Sequence, residues 1–258
     1  MLTENKDYNN ENNFIEVPVK LKEKKYSISA FFPVYNDWGT IPGMVLLVNS
    51  VLEKSASEYE IILVDDGSRP LTKMVLEELA KKIDKLRIIT HEKNRGYGGA
   101  LKSGFYNAKY DLIFYTDGDA QYNPQELALL IEKFSDDTDV VNGYKISRSD
   151  PVYRKILGRM YHHITKMLFG FKIRDVDCDF RLIRRSVFDD LKLNYNSGVI
   201  CVEMIARMTR RGVRFAEVPV HHYYRVSGKS EFFNFKRVFN VIKNLVKLWY
   251  RIRLKNVY

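Results

Sequence analysis

Cysteine is scarce in this chain: Cys178 and Cys201 are the only two in 258 residues. Two cysteines make no disulfide framework, and without a CxxC pair the usual zinc spacing is missing. Long apolar runs are missing too. No stretch approaches the roughly 18 to 20 residues needed to cross a bilayer. The first dozen residues are polar and lack the apolar centre of a secretory signal. These absences predict a cytoplasmic protein. No internal repeat, domain linker, RNP, KH or zinc-finger pattern occurs, so nucleic acid is not an expected partner despite a pI near 9.4.

The basic charge is present, but unevenly spread. Residues 1–150 carry 19 Lys and Arg against 24 Asp and Glu, a net of −5, whereas residues 151–258 carry 23 against 8, a net of +15. Such asymmetry points the second part toward an anionic partner: a phosphorylated substrate or an anionic membrane surface. Apolar content of 45% is that of an ordinary globular protein with a sizeable core.

Along the chain, residues 1–24 read as a polar N-terminal arm. Apolar strands are predicted at Tyr26–Phe32, Glu60–Val64, Leu86–Thr90 and Leu112–Thr116. Helices alternate with them at 41–52, where Pro42 and Gly43 set the expected start after themselves, and at 72–83 and 100–108. Strand and helix in turn is the pattern of a parallel sheet covered on both faces, an α/β class. Further elements follow: helices from Pro124 to Phe134 and Pro151 to Phe171, strands at 139–145, 180–183 and 214–220, and a helix from Cys201 stopped by Gly212. Polar loops at three strand ends, Asn36-Asp37, Asp65-Asp66 and Asp117 to Gln121, should share one edge of the sheet, where ligands of such folds collect.

Asp117-Gly118-Asp119 is the sharpest of these. Two carboxylates at i and i+2 can turn toward one hard divalent cation, Mg²⁺ or Mn²⁺, whose shell substrate phosphates complete. Asp and Gly are also common turn residues, so the tripeptide alone fits either reading. Asp65-Asp66-Gly67-Ser68 likewise fits both a nucleoside site and a helix cap.

Six ordered motifs narrow the choice: Pro33-Val34-Tyr35-Asn36-Asp37, Val64-Asp65-Asp66-Gly67-Ser68, Asn94-Arg95-Gly96-Tyr97-Gly98-Gly99-Ala100, Asp117-Gly118-Asp119-Ala120-Gln121, Asp175 with Asp179-Phe180-Arg181-Leu182, and Arg225-Val226-Ser227-Gly228-Lys229-Ser230. Together they resemble the inverting family 2 glycosyltransferases of the GT-A fold. The likeness is greatest to dolichol-phosphate mannose synthase and bacterial polyprenyl-phosphate glycosyltransferases. Asp37 stands where that family usually has Glu, and Gly118 where Ala is usual.

The resemblance implies a Rossmann-like GT-A domain over 25–230 and a nucleotide-sugar donor. It places Pro33, Tyr35, Asn36, Asp37, Asp65, Asp66, Gly96, Gly99, Gly118, Gln121, Arg225 and Lys229 around that donor. Asp117 and Asp119 would hold the metal against the diphosphate. Gly96 and Gly99 would let the helix N-terminus approach the phosphates. Asp179 and Arg181 belong to the acceptor side.

Two acceptors stay open. A polyprenyl phosphate would need cations, for which Lys145, Arg154 and Arg181 are candidates. A glycan hydroxyl would need Asp179 or Asp175 as base. Residues 231–258 interleave Phe239, Ile242, Leu245 and Trp249 with Lys236, Lys243, Lys247 and Arg251. That pattern suits a helix on the cytosolic membrane face, a helix docked on its own domain, or a homo-oligomer contact.

Overall fold

The computed structural model describes residues 24–148, 152–225 and 235–253; the side chains at 147, 148, 152–159, 161 and 235–239 fall outside that description. Residues 1–23 of the expected arm and 226–230 of the sixth motif, Lys229 included, therefore lie outside the described residues. So does the side chain of Arg154.

Four strands open the fold: β1 (Ile28–Val34), β2 (Tyr59–Asp65), β3 (Leu86–Thr90) and β4 (Leu112–Thr116). Helices α1 (Ile41–Ser55), α2 (Pro70–Lys82) and α3 (Tyr97–Asn107) connect them. The chain continues through α4 (Leu127–Lys133), β5 (Val140–Arg148), α5 (Val152–Phe169), β6 (Phe180–Arg184), α6 (Val199–Arg210), β7 (Phe215–His222) and α7 (Phe235–Arg253). The seven strands form one sheet in the order β3-β2-β1-β4-β6-β5-β7. β1 to β4 are parallel, β7 is parallel to β5, and β6 alone runs against both of its neighbours.

Strand alternation assigns the two faces. Ala30, Phe32, Ile61, Leu63, Leu112 and Phe114 face the layer that also holds Ile41, Val45 and Val48 of α1. Phe31, Ile62, Val64, Ile113 and Tyr115 face Leu101 and Phe105 of α3, Ile205 of α6, and Leu248 of α7. Burial on both sides explains why these strands read as nearly unbroken apolar runs.

Of the boundaries that differ from expectation, two have a plain physical cause. α1 takes Pro42 into its first turn, where a missing N–H costs nothing. α3 begins at Tyr97, three residues earlier than predicted, because its glycines are helical rather than loop. Gly212 ends α6 as expected, with φ of 72°, a left-handed value that glycine adopts without strain.

Because β1, β2 and β4 are adjacent and parallel, their C-terminal ends deliver Asn36-Asp37, Asp65-Asp66 and Asp117-Gly118-Asp119 to one edge. β6 enters that edge from the opposite direction, bringing Asp179 in at its start.

Candidate active site

The first two strand ends are stitched together. Asn36, at φ of 65°, donates its backbone N–H to the Ser68 hydroxyl at 3.1 Å and accepts the Arg69 N–H on its own side chain at 2.9 Å. Asn is among the few residues that sit in this left-handed region at little cost. The Tyr35 N–H turns Asp37 inward at 2.9 Å. Asp65, 1% exposed, accepts from the Ser68 N–H through Oδ1, while its buried Oδ2 has no protein donor among the described residues.

Asp66 is placed differently from the sequence expectation. Its Oδ1 accepts from the Arg95 N–H at 2.8 Å and lies 2.6 Å from His91 Nδ1, and its Oδ2 accepts from the Gly96 N–H at 2.9 Å. His91 in turn reaches the Ser103 hydroxyl through Nε2. Asp66 thus latches β2 to the loop that starts α3, and both of its oxygens are occupied by protein. His91 carries no sequence signal for this part, since its partners are 25 and 12 residues away.

The glycine-rich start of α3 also departs from expectation. A Cβ at Gly96 would lie 2.6 Å from the Asn196 carbonyl oxygen, and one at Gly98 only 2.4 Å from that of Tyr195. The Gly98 N–H donates to Asn196 O at 2.9 Å, and the Gly99 N–H donates to Gly96 O. Gly96 and Gly98 make room for the segment at 195–196, and Gly96, Gly98 and Gly99 spend their amides within the protein. The Tyr97 hydroxyl, by contrast, points to the metal motif and donates to Asp117 Oδ1 at 2.7 Å.

Asp117 and Asp119 follow directly on the end of β4. Asp119 accepts the Gln121 N–H at 3.1 Å on Oδ1 and the Arg225 guanidinium at 2.5 Å on Oδ2. Ala120, between Asp119 and Gln121, takes φ of 60°, a left-handed value rare for a residue with a Cβ. The Thr40 hydroxyl fixes the turn through Gly118 O at 2.7 Å. An added Cβ at Gly118 would meet Ile41 Cδ1 at 3.2 Å and Pro33 O at 3.3 Å, a fit that needs a small shift of Ile41.

Electrostatics single out this corner. Burial, then the charges of Asp179 and Asp119, push the Asp117 carboxyl well above the usual range. Burial raises Asp119 too, with Arg225 opposing, and it raises Asp37, to which the Asp119 charge adds. Carboxylates gathered where their anionic forms are disfavoured are stabilised by any cation placed among them. The residues present therefore fit a hard divalent ion held by Asp117 and Asp119, with phosphate oxygens as its remaining ligands. Among the described residues no cluster of three or more His, Cys, Asp or Glu could cage a metal alone.

Asp179 faces this pair from the reversed strand. Its Oδ1 accepts from the Tyr115 hydroxyl at 3.2 Å, the Arg181 guanidinium at 3.0 Å and the Cys201 thiol at 3.2 Å; Oδ2 takes none of them. Burial pushes both the Tyr115 hydroxyl and the Cys201 thiol well up, so both stay protonated and able to donate. Arg181 is wholly buried. Besides Asp179 it donates to Tyr115, to Asn142 Oδ1 and to the Val176 carbonyl. The expected contact of Arg181 with an acceptor phosphate is therefore corrected: with each guanidinium nitrogen engaged, it orients Asp179.

Lys145 is similarly committed. Its ammonium donates to the Asp177 carbonyl at 2.7 Å and lies 3.8 Å from Asp175 Oδ2, tying β5 to the acceptor-side loop. Asp177 in that loop is pushed up to about 7, first by burial and then by Asp175 and Asp179, with Lys145 opposing. A carboxyl raised in the folded state favours folding most below its unfolded pKa of about 4. That contribution is lost as pH climbs to about 7. Asp177→Asn is accordingly expected to raise the melting temperature more at pH 8 than at pH 4; an equal shift at both would show that Asp177 ionises normally.

Beyond β7, the Tyr223 N–H donates to Gln121 O at 2.8 Å and Gln121 Nε2 returns to Tyr223 O. This clamp sets Arg225 over Asp119. His221 pairs with the buried Glu126 at 2.5 Å, and His222 packs edge-on to Tyr122, so both histidines are engaged with the protein.

On the far side, Leu245, Leu248 and Ile252 of α7 are buried in the same layer as α6, and Arg210 caps the Ile252 carbonyl. The tail is thus docked on its own domain. Its apolar residues split into two faces, since Ile242, Val246 and Tyr250 are exposed beside Lys243, Lys247 and Arg251. α5 presents a like stripe of Met160, Ile164 and Met167, the last 76% exposed, next to His163 and Lys166. Among the described residues no helix is long and apolar enough to cross a membrane.

The family model "Glycosyl transferase family 2" matches residues 29–192, from β1 past β6. The chain belongs to glycosyl transferase family 2. Its α/β sheet is the GT-A fold of that family, and it shares the fold with glucosyl-3-phosphoglycerate synthase from Mycobacterium tuberculosis. The synthase solved with UDP superposes with a TM-score of 0.65 at 13% identity over 87% of this chain and 80% of that one. In complex with Mg²⁺ and UDP the values are 0.65 and 14%, over 87% and 78%. A crystal structure of a mycobacterial protein gives 0.66 and 15%, over 87% and 74%. As a family 2 member the chain is a glycosyltransferase, with Asp37, Asp117, Asp119 and Asp179 gathered at one end of its central strands.

Proposed function

We propose that this glycosyltransferase moves a sugar, with inversion, from a UDP- or GDP-sugar to a polyprenyl phosphate at the cytosolic membrane face. Mg²⁺ or Mn²⁺ held by Asp117 and Asp119 would offset charge developing on the nucleoside diphosphate. The mycobacterial synthase has been solved with Mn²⁺ and UDP, and with Mg²⁺ and UDP, which supports this part of the reading.

The protein's own residues do the rest. Pro33 near the end of β1 and Tyr35, Asn36 and Asp37 in the loop after it lie beside the donor, and Asp65 Oδ2, without a protein donor among the described residues, is left for a ribose or base donor. Gly118 and Gln121 shape the turn beneath the diphosphate, and Arg225 flanks it; Lys229, outside the described residues, is kept as a donor candidate on its motif alone. An oxygen of the acceptor phosphate attacks C1 of the sugar, the C1–oxygen bond to the diphosphate breaks, and the nucleoside diphosphate leaves with that electron pair. A phosphate nucleophile is already ionised and needs no base.

The observation that carries the acceptor reading is the exposed face of α7, where Ile242, Val246 and Tyr250 stand beside Lys243, Lys247 and Arg251, together with the exposed apolar stripe of α5; such faces suit anionic lipid headgroups. With Lys145 and Arg181 committed inside the protein, Arg154 is the remaining candidate for the acceptor phosphate. A second reading, transfer to a glycan hydroxyl, is favoured by the pinning of Asp179 through one oxygen, as a general base requires.

Labelled UDP- and GDP-sugars offered with a short polyprenyl phosphate, a set of glycans and phosphoglyceric acid will separate these. A lipid-linked monosaccharide is the expected product. Label appearing only on glycan hydroxyls or on phosphoglyceric acid would overturn the lipid acceptor.

A further inference from the structure

The Arg225 guanidinium sits on the carboxylate that the preceding reading gives to the metal. Asp119 is buried, with its side chain 8% exposed, and both its oxygens have protein donors: Gln121 N–H on Oδ1 and Arg225 on Oδ2. The contact is fixed from behind. The paired hydrogen bonds between Gln121 and Tyr223 place Arg225 two residues beyond a point anchored to the same turn that presents Asp119. A guanidinium and a divalent cation sharing the Asp119 carboxylate would sit within a few ångströms of each other, where their like charges repel.

We infer that Arg225 is the resident counter-ion of Asp119, which the divalent cation displaces, and that the displaced guanidinium then turns to the donor diphosphate. This rests on the metal and donor reading above and adds an order of events. In the free protein Arg225 stabilises a carboxylate that burial disfavours. Metal entry releases it beside the newly placed phosphates, which a planar, forked cation suits better than a single carboxylate oxygen. The side chain is 36% exposed, so the swing meets water on one side rather than a packed core. Metal loading and donor capture are thereby coupled through one residue.

Opposite signs on two affinities are the signature. Arg225→Ala removes a competitor for Asp119, so Mn²⁺ should bind the nucleotide-free protein about 5- to 10-fold more tightly. The same change should weaken UDP or GDP binding at saturating Mn²⁺ by about 10-fold, as loss of a charge-assisted contact does. Arg225→Lys, which keeps the charge but not the fork, should lie between. Mn²⁺ affinity is read by titration calorimetry or by the paramagnetic resonance of free Mn²⁺, with circular dichroism confirming that each variant is folded. Unchanged or weaker Mn²⁺ binding by Arg225→Ala, where wild type binds Mn²⁺, would overturn the counter-ion role and leave the metal site standing. Absence of Mn²⁺ binding by wild type, with or without nucleotide, would overturn both.

Discussion

Asp119→Asn is expected to lower sugar transfer by at least about 10²- to 10³-fold, the scale on which a single preorganised electrostatic contact to a leaving group acts. It should also remove the Mn²⁺ dependence of UDP or GDP binding while the protein stays folded. The folded state should not suffer, because the substitution removes a buried charge that the fold disfavours. The neutral amide still accepts the Gln121 N–H through its oxygen, so the turn is held. It offers a cation only a weak ligand in place of an anionic one. Initial rates over a Mn²⁺ titration, with thermal denaturation alongside, check both halves. A variant that keeps wild-type transfer and its metal response would show that Asp119 is no more than a turn residue.

The second large effect is on stability. Arg181→Met should destabilise the protein by about 3 to 5 kcal/mol, because it leaves Asp179 without its cation in a buried setting. In a domain of this size that corresponds to a fall in melting temperature of about 10 °C. The Asn142 side-chain oxygen and the Val176 carbonyl lose their donors in the same step. Adding Asp179→Asn should recover part of the loss, since the uncompensated charge is then gone, with a coupling of about 0.5 to 3 kcal/mol between neighbours of this kind. Denaturant unfolding of both single variants and the double variant measures it. Strict additivity would mean that the pair does not act as one unit.

The sheet and its acidic edge were legible because they are local signals. Apolar runs such as Glu60–Val64 and Leu112–Thr116 end abruptly in Asp65 and Asp117, and strands buried on both faces have no other way to read. Parallel neighbours then had to put those ends together. The reversal of β6 was not legible, since Phe180–Arg184 carries nothing that marks its direction. What failed for single residues was the assumption that a polar side chain near the site points into it. Asp66, Lys145 and Arg181 turn to protein partners, and Gly96 and Gly98 admit a backbone segment almost 100 positions away. Burial of a cation or packing against a glycine is decided by tertiary neighbours, which a motif does not contain. The tail shows the same limit: its apolar and basic residues were visible, but that Leu245, Leu248 and Ile252 face inward depends on where α6 lies.

The central claim is that Asp117 and Asp119 form a clamp binding a nucleoside diphosphate through a divalent cation. Titrating UDP and GDP into the protein by calorimetry, once with Mn²⁺ and once with a chelator, tests it most directly. Saturable binding of one of the two nucleotides with Mn²⁺, lost or weakened by an order of magnitude or more in chelator, is the predicted result. Equal affinity under both conditions, or no binding of either nucleotide with Mn²⁺ present, would contradict it.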